Sequence, residues 1–164
     1  MENRLTLRAL EPEDLDLVHR IENDATLWAW GASCQPLSRY TIRQYLSEQH
    51  ADIYQDGQLR LVIEVDGKSI GMVDLSSFCP HHLRAEVGIV ILHEYHRQGW
   101  GTETLRQLAD YSRQRLHLCS LYAYVAEMNT AGQNLFRTAG YRPVGQLDQW
   151  IEGEHKATLF QKIL

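Results

Sequence analysis

Seven residues, His96 to Thr102 (HRQGWGT), set two glycines, a histidine and an arginine just ahead of an apparent helix. Glycine has no Cβ, so the chain can take positive φ and bring its backbone close to a ligand. The first turn of a helix carries unpaired N–H groups and partial positive charge, and together these bind anions. A strand, then His96-x-x-Gly99-x-Gly101, then a helix reads as a pyrophosphate cradle. A tight turn without a ligand fits the local pattern equally well. A Walker loop is excluded, because G-x-x-x-x-G-K-[ST] does not occur. The dinucleotide fingerprint G-x-G-x-x-G fails at Thr104, where its third glycine would stand, although Glu127 ends the next strand near the place of a ribose-binding acid.

Two carboxylates could move protons. Glu86 interrupts the apolar run LRAEVGIVIL, and a carboxylate aimed into a cleft accepts a proton if burial raises its pKa. The competing reading is a carboxylate that faces solvent or pairs with Arg84. Asp74, central in IGMVDLSSF, is the second candidate, as a base or as a partner for a cationic acceptor. His81 and His82 follow Cys79-Pro80 in an expected loop and read as a solvated turn. Cys34, Cys79 and Cys119 are odd in number and widely spaced, so they form neither a zinc pair nor a disulfide framework. No metal is expected, and a reducing, cytoplasmic setting fits.

The elements that must hold these residues follow from periodicity. RLTLRAL alternates as a strand, and EPEDLDLVHRIEND opens with Pro12 and repeats Leu15, Val18 and Ile21 at helical spacing. LSRYTIRQYLSEQHADI reads as a second helix with Ser38 as N-cap. QLRLVIEV and KSIGMVDLSSF are strands joined at Asp66-Gly67, and LRAEVGIVIL is a central strand. After the glycines, TETLRQLADYSRQRL is amphipathic; SLYAYVAE is a strand, TAGQNLFRTAG a helix closed by Gly140, and two strands finish the chain. The order β-α-α-β-β-β-α-β-α-β-β describes one mixed α/β domain over residues 1–164, a mostly antiparallel sheet flanked by helices.

Bulk properties agree. A chain of 164 residues, 44% hydrophobic and 23% charged, is large enough for a core and too apolar for long disorder. No apolar run approaches a membrane span, and a net charge of −5 argues against nucleic acid as a partner.

The glycine stretch resembles the coenzyme A motif of GCN5-related N-acetyltransferases, glutamine or arginine followed by x-x-G-x-G/A at a helix start after a strand, with His96 at the first position. NTAGQNLFRTAGY resembles that family's N-x-x-A/S-x-x-L-Y-x-x-x-G-F segment, and the order of elements is similar throughout. LTLRALEPEDL looks most like the branch that acetylates spermidine and ribosomal-protein N-termini. The resemblance implies acetyl transfer from acetyl-CoA to a primary amine by direct attack in a ternary complex, and it admits a homodimer. It implies that Ile89, Val90 and Ile91 run beside the pantetheine arm and that the amides of Arg97, Gln98, Gly99, Trp100, Gly101 and Thr102 meet the pyrophosphate. His96, which stands for the usual glutamine or arginine, would donate to a phosphate. Asn129 would bond the pantetheine arm, Asn134 would assist from the thiol-proximal helix face, and Phe136 would pack beside the thiol.

Three departures qualify the implied function. Phe136 occupies the place where many members carry a tyrosine proton donor, which raises the alternative of a non-catalytic acyl-CoA sensor. Gly132 replaces a small alanine or serine. Around GASCQP, where Trp28, Trp30 and Tyr40 could enclose a cation or simply pack, the chain has Gln35, Arg39 and Arg43 instead of acids. That favours a protein N-terminus, a small amine or an amino sugar over a polycation.

Overall fold

The computed structural model describes residues 4–31 and 33–164; Ala32 of the GASCQP segment lies outside them. Strand β1 (Leu5–Ala9) leads through a 3-10 turn into α1 (Leu15–Glu22), followed by α2 (Ala25–Trp28), α3 (Arg39–Ser47) and α4 (Ile53–Asp56). Strands β2 (Leu59–Val65), β3 (Lys68–Cys79) and β4 (Arg84–Ile91) come next. Then follow α5 (Trp100–Gln114), β5 (Ser120–Ala126), α6 (Thr130–Thr138), β6 (Arg142–Ile151) and β7 (His155–Ile163).

The seven strands form one sheet in the order β1-β2-β3-β4-β5-β7-β6, with β4–β5 as its parallel pair. Asp66 and Gly67 both take positive φ, 50° and 77°, and this two-residue turn lets Val65 pair with Lys68. Ser38 caps α3 by accepting the Thr41 N–H at 3.0 Å. The second expected helix is shorter than its pattern: α3 stops at Ser47, and Ile53–Asp56 forms a separate turn capped by Asp52. Ser47 donates to the Gln44 carbonyl and Asp52 accepts the Tyr54 N–H, and such local side-chain bonds break the helix that periodicity alone would continue.

Period-two alternation divides the sheet into two faces. Val73, Leu75, Ala85, Val87, Leu121, Ala123 and Phe160 are buried on one face against Leu105 and Leu108 of α5 and Phe136 of α6. Met72 and Val90 lie on the other face against Val18, Ile21 and Ile42 of α1 and α3. Residues between these on the second face, Asp74 and Glu86, share their strand positions with that smaller cluster.

Candidate active site

The parallel pair is short. Only Arg84–Glu86 pairs with Ser120–Tyr122. Beyond it β4 keeps its antiparallel partner β3 as far as Ile91, and β5 keeps β7 as far as Ala126. The two strands therefore splay, and Val87–Ile91 face a cleft with a free backbone edge. Such an edge offers N–H and C=O groups to an amide-bearing chain.

The cradle stands after the open end of β4. Gly99 is the N-cap of α5 at φ 85°, and Arg97 is also left-handed at φ 59°. Three side chains brace the loop. The His96 Nε2 donates to the Ile91 carbonyl at 2.7 Å, Gln98 donates to the Glu94 carbonyl at 3.1 Å, and the Trp100 indole donates to Gln98 at 3.2 Å. Gly99 has no side chain to cap the helix, and among the described residues no acceptor engages the N–H groups from Arg97 to Thr102. What the loop offers an anion is backbone, joined by the exposed Arg97.

Two glycines differ from their expected roles. Gly101 is inside α5, not ahead of it, since the helix begins at Trp100. A Cβ there would stand 2.9 Å from Leu135 Cδ1 and 3.6 Å from Ile91 Cδ1, so α5, α6 and β4 meet at this point. Gly132 is required because the Asn129 side chain folds over it: a Cβ would lie 2.7 Å from Asn129 Nδ2 and 3.0 Å from Val125. Asn129 caps α6, with its Oδ1 accepting the Gly132 N–H at 2.9 Å, which leaves its Nδ2 as a donor.

Three expected positions need correction. Asn134 is not on the face of α6 nearest the cleft. It lines a polar groove of about 510 Å³ with Glu127, Gln133, Arg137 and Thr158, because one residue step turns it about 100° around the helix from Leu135. Phe136 is 5% exposed, stacked on Phe160 at 5.9 Å and edge-on to Tyr141 at 5.0 Å, so its ring belongs to the core. Asp74 is engaged on both oxygens by Arg60, at 2.9 and 3.1 Å. Arg60 also holds Glu22 at 2.8 Å, and the other Glu22 oxygen meets Ser33. Burial pushes the Asp74 carboxyl up despite Arg60, but the two-pronged ion pair makes it a brace between β2, β3 and the end of α1.

Glu86 lies at the apex, in the last pair before the splay, opposite Tyr122 on β5 and Ser76 on β3. Burial raises its carboxyl above the usual range, while the nearby Ser77 hydroxyl pulls it down. Two residues on, exposed Gly88 leaves the sheet bare beside Asp74. Tyr122 and Tyr124 stand on the same face, with ring centroids 5.8 Å apart, and Tyr124 lies 5.2 Å from Trp150 on β6. Trp150 borders a groove of about 290 Å³ with Trp28, Ser33, Cys34, Ile151 and Glu152. These aromatics were legible in part: SLYAYVAE alternates, so burying Leu121, Ala123 and Val125 turns both tyrosines to the other face. His81 and His82 sit in an exposed turn, as expected.

A splayed parallel pair with unpaired backbone N–H groups at its open end and a half-buried carboxylate at its apex suits a long phosphorylated acyl carrier meeting an amine. The profile of the acetyltransferase (GNAT) domain family matches residues 4–142. This chain belongs to the GNAT acetyltransferase family. The GNAT chain is 31% identical over 152 residues to the spermidine N(1)-acetyltransferase of Escherichia coli (strain K12), a match spanning 92% of this chain and 80% of the relative. Its fold is similar to the crystal structure of spermidine N-acetyltransferase from Vibrio cholerae in complex with CoA and spermine, with TM-score 0.84, 25% identity, and 97% and 95% of the two chains covered. A dodecameric structure of the Vibrio cholerae enzyme aligns with TM-score 0.81 and 27% identity over 97% and 93%. This GNAT member is an acetyl-CoA-dependent N-acetyltransferase, and the sensor alternative raised by Phe136 falls with that finding. Among the described residues, no helix is long and apolar enough to cross a membrane.

Proposed function

We propose that the acceptor is a flexible alkyl amine of the polyamine class and that Glu86 receives its proton. The observation that carries this reading is the groove beside Trp150. It joins two indoles, which suit methylenes and cationic nitrogens, to the Glu152 carboxylate, and it is linked to the apex through Tyr124. The similarity to spermidine acetyltransferases supports the same class. Of the two arginines that argued against a polycation, Arg39 weighs less in the fold, because it is paired with Asp16 at 2.5 Å.

In this reading the amides of Arg97 to Thr102 hold the pyrophosphate, the free edge of Ile89, Val90 and Ile91 aligns the pantetheine arm, and Asn129 Nδ2 donates to it. Bound acetyl-CoA supplies the activated acetyl group. A β4 backbone N–H polarises the carbonyl under attack, and Glu86 removes the amine proton. A protein N-terminus is the competing acceptor. The enzyme would work as one domain, assembled with further copies as in the dodecameric relative; light scattering would measure that state.

The test compares acetylation of spermidine, butylamine and an N-terminal peptide, with Trp150→Ala alongside. Spermidine should have the highest kcat/KM, and Trp150→Ala should raise its KM at least about tenfold, about 1.4 kcal/mol. Peptide acetylation that outpaces spermidine would overturn the assignment.

A further inference from the structure

Release of a thiolate calls for a proton, and Phe136 has none to give. Ser77 stands beside the apex, next to the Ser76 that pairs with Glu86. It is a non-glycine residue at φ 47° within β3, a conformation that persists only where the surroundings impose it. It lies in a bulge: Ser76 pairs with Glu86 and Cys79 with Arg84, so three steps on β3 face two on β4. Regular alternation would turn Ser77 to the same side as Leu75, toward the core. The bulge instead leaves Ser77 exposed beside Glu86 and Tyr122, which face each other across β4 and β5.

We propose that Glu86, Ser77 and Tyr122 form a closed proton circuit in which Tyr122 is the acid for the departing sulfur. The proposal rests on the reading of the splay apex as the reaction site. As the C–N bond forms, Glu86 takes a proton from the amine nitrogen. As the C–S bond breaks, the Tyr122 O–H proton passes to sulfur. Ser77 then gives its proton to the Tyr122 oxygen and receives the one held by Glu86. Each side chain returns to its starting state, and one amine proton has moved to the thiol with no other reactant. Burial and the neighbouring Glu86 raise the Tyr122 phenol, so the hydroxyl keeps its proton near neutral pH, as an acid must.

The test places 3-fluorotyrosine at position 122 and follows its ¹⁹F resonance alongside turnover of the full chain. Addition of CoA should shift the resonance, and addition of desulfo-CoA, which lacks the sulfur, should shift it much less. In parallel, Tyr122→Phe should lower kcat for amine acetylation by about 10²-fold, the usual scale for lost general acid catalysis, with CoA affinity within about twofold. Ser77→Ala should lower kcat and move the acid limb of its pH profile. Equal ¹⁹F shifts with the two ligands, or a Tyr122→Phe enzyme with normal kcat, would overturn the circuit. If the parent acetylates no amine, the proposed function fails instead, and the ¹⁹F comparison still decides whether Tyr122 meets the sulfur.

Discussion

Glu86 and Phe136 carry opposite lessons about single residues. Glu86 is polar in an apolar strand, and the proposed role as base gives that anomaly a use. Burial raises its pKa, so it is protonated, and inactive as a base, to higher pH than an ordinary glutamate near 4.3. Activity should therefore rise with pH through a midpoint above that value, and Glu86→Gln should abolish the limb and lower kcat by about 10²-fold with CoA affinity unchanged. A pH–rate profile that is the same in both proteins would remove Glu86 from the mechanism. Phe136 was expected beside the thiol, but its ring closes the core against Phe160 and Tyr141. Phe136→Ala should accordingly cost about 3–5 kcal/mol of stability, and Phe136→Tyr should destabilise by about 1–3 kcal/mol through a buried hydroxyl. Denaturant unfolding measures both; a Phe136→Ala protein as stable as its parent, but weak in CoA binding, would return the ring to the cleft.

At the scale of elements, periodicity located almost every strand and helix, because apolar spacing follows directly from which face is buried. The Asp66-Gly67 turn and the Ser38 cap were legible for the same local reason. What periodicity could not show was where β4 and β5 part, since pairing depends on residues far apart in sequence. The bulge at Ser77 was hidden too: SSF carries no glycine to announce a positive φ. Gly101 belongs to this scale, because its bare Cα lets α5 approach α6 as well as exposing amides. Gly101→Glu would add a carboxylate at the cradle and strike Leu135. The double variant Gly101→Glu/Leu135→Ala relieves the collision and keeps the charge. Calorimetry should still show CoA affinity down at least about tenfold, ~1.4 kcal/mol; recovery of full affinity would mean that packing, not the cradle, was damaged.

Over the whole molecule, the helices of the first third are tied to the sheet by ion pairs. Arg60 joins Glu22 and Asp74, and Arg8 holds Asp14 at 2.8 Å and Glu64 at 2.7 Å. These pairs could not be read from the sequence, where Asp74 looked free to act as a base. Burial alone would raise Asp14, but Arg8 and the Glu11 N–H hold it below the usual range. Glu103, on α5, is brought down to about 2, chiefly by its bond to Arg106. A carboxyl lowered by folding contributes stability above its unfolded pKa and loses it as pH falls through the folded one. Tm should therefore fall between about pH 4.3 and pH 2, and Glu103→Gln should flatten part of that fall. A parent and variant with superimposable Tm–pH curves would show that the Arg106 pair contributes nothing.

The most direct measurement is thiol release from acetyl-CoA by the purified chain, with product mass, across spermidine, a monoamine, an aminoglycoside and an N-terminal peptide. Polyamine acetylation with Glu86 as base requires stoichiometric free CoA and monoacetylated spermidine in the parent, with turnover about 10²-fold lower in Glu86→Gln. Acetylation confined to the peptide, or spermidine turnover that is indifferent to Glu86→Gln, would contradict it.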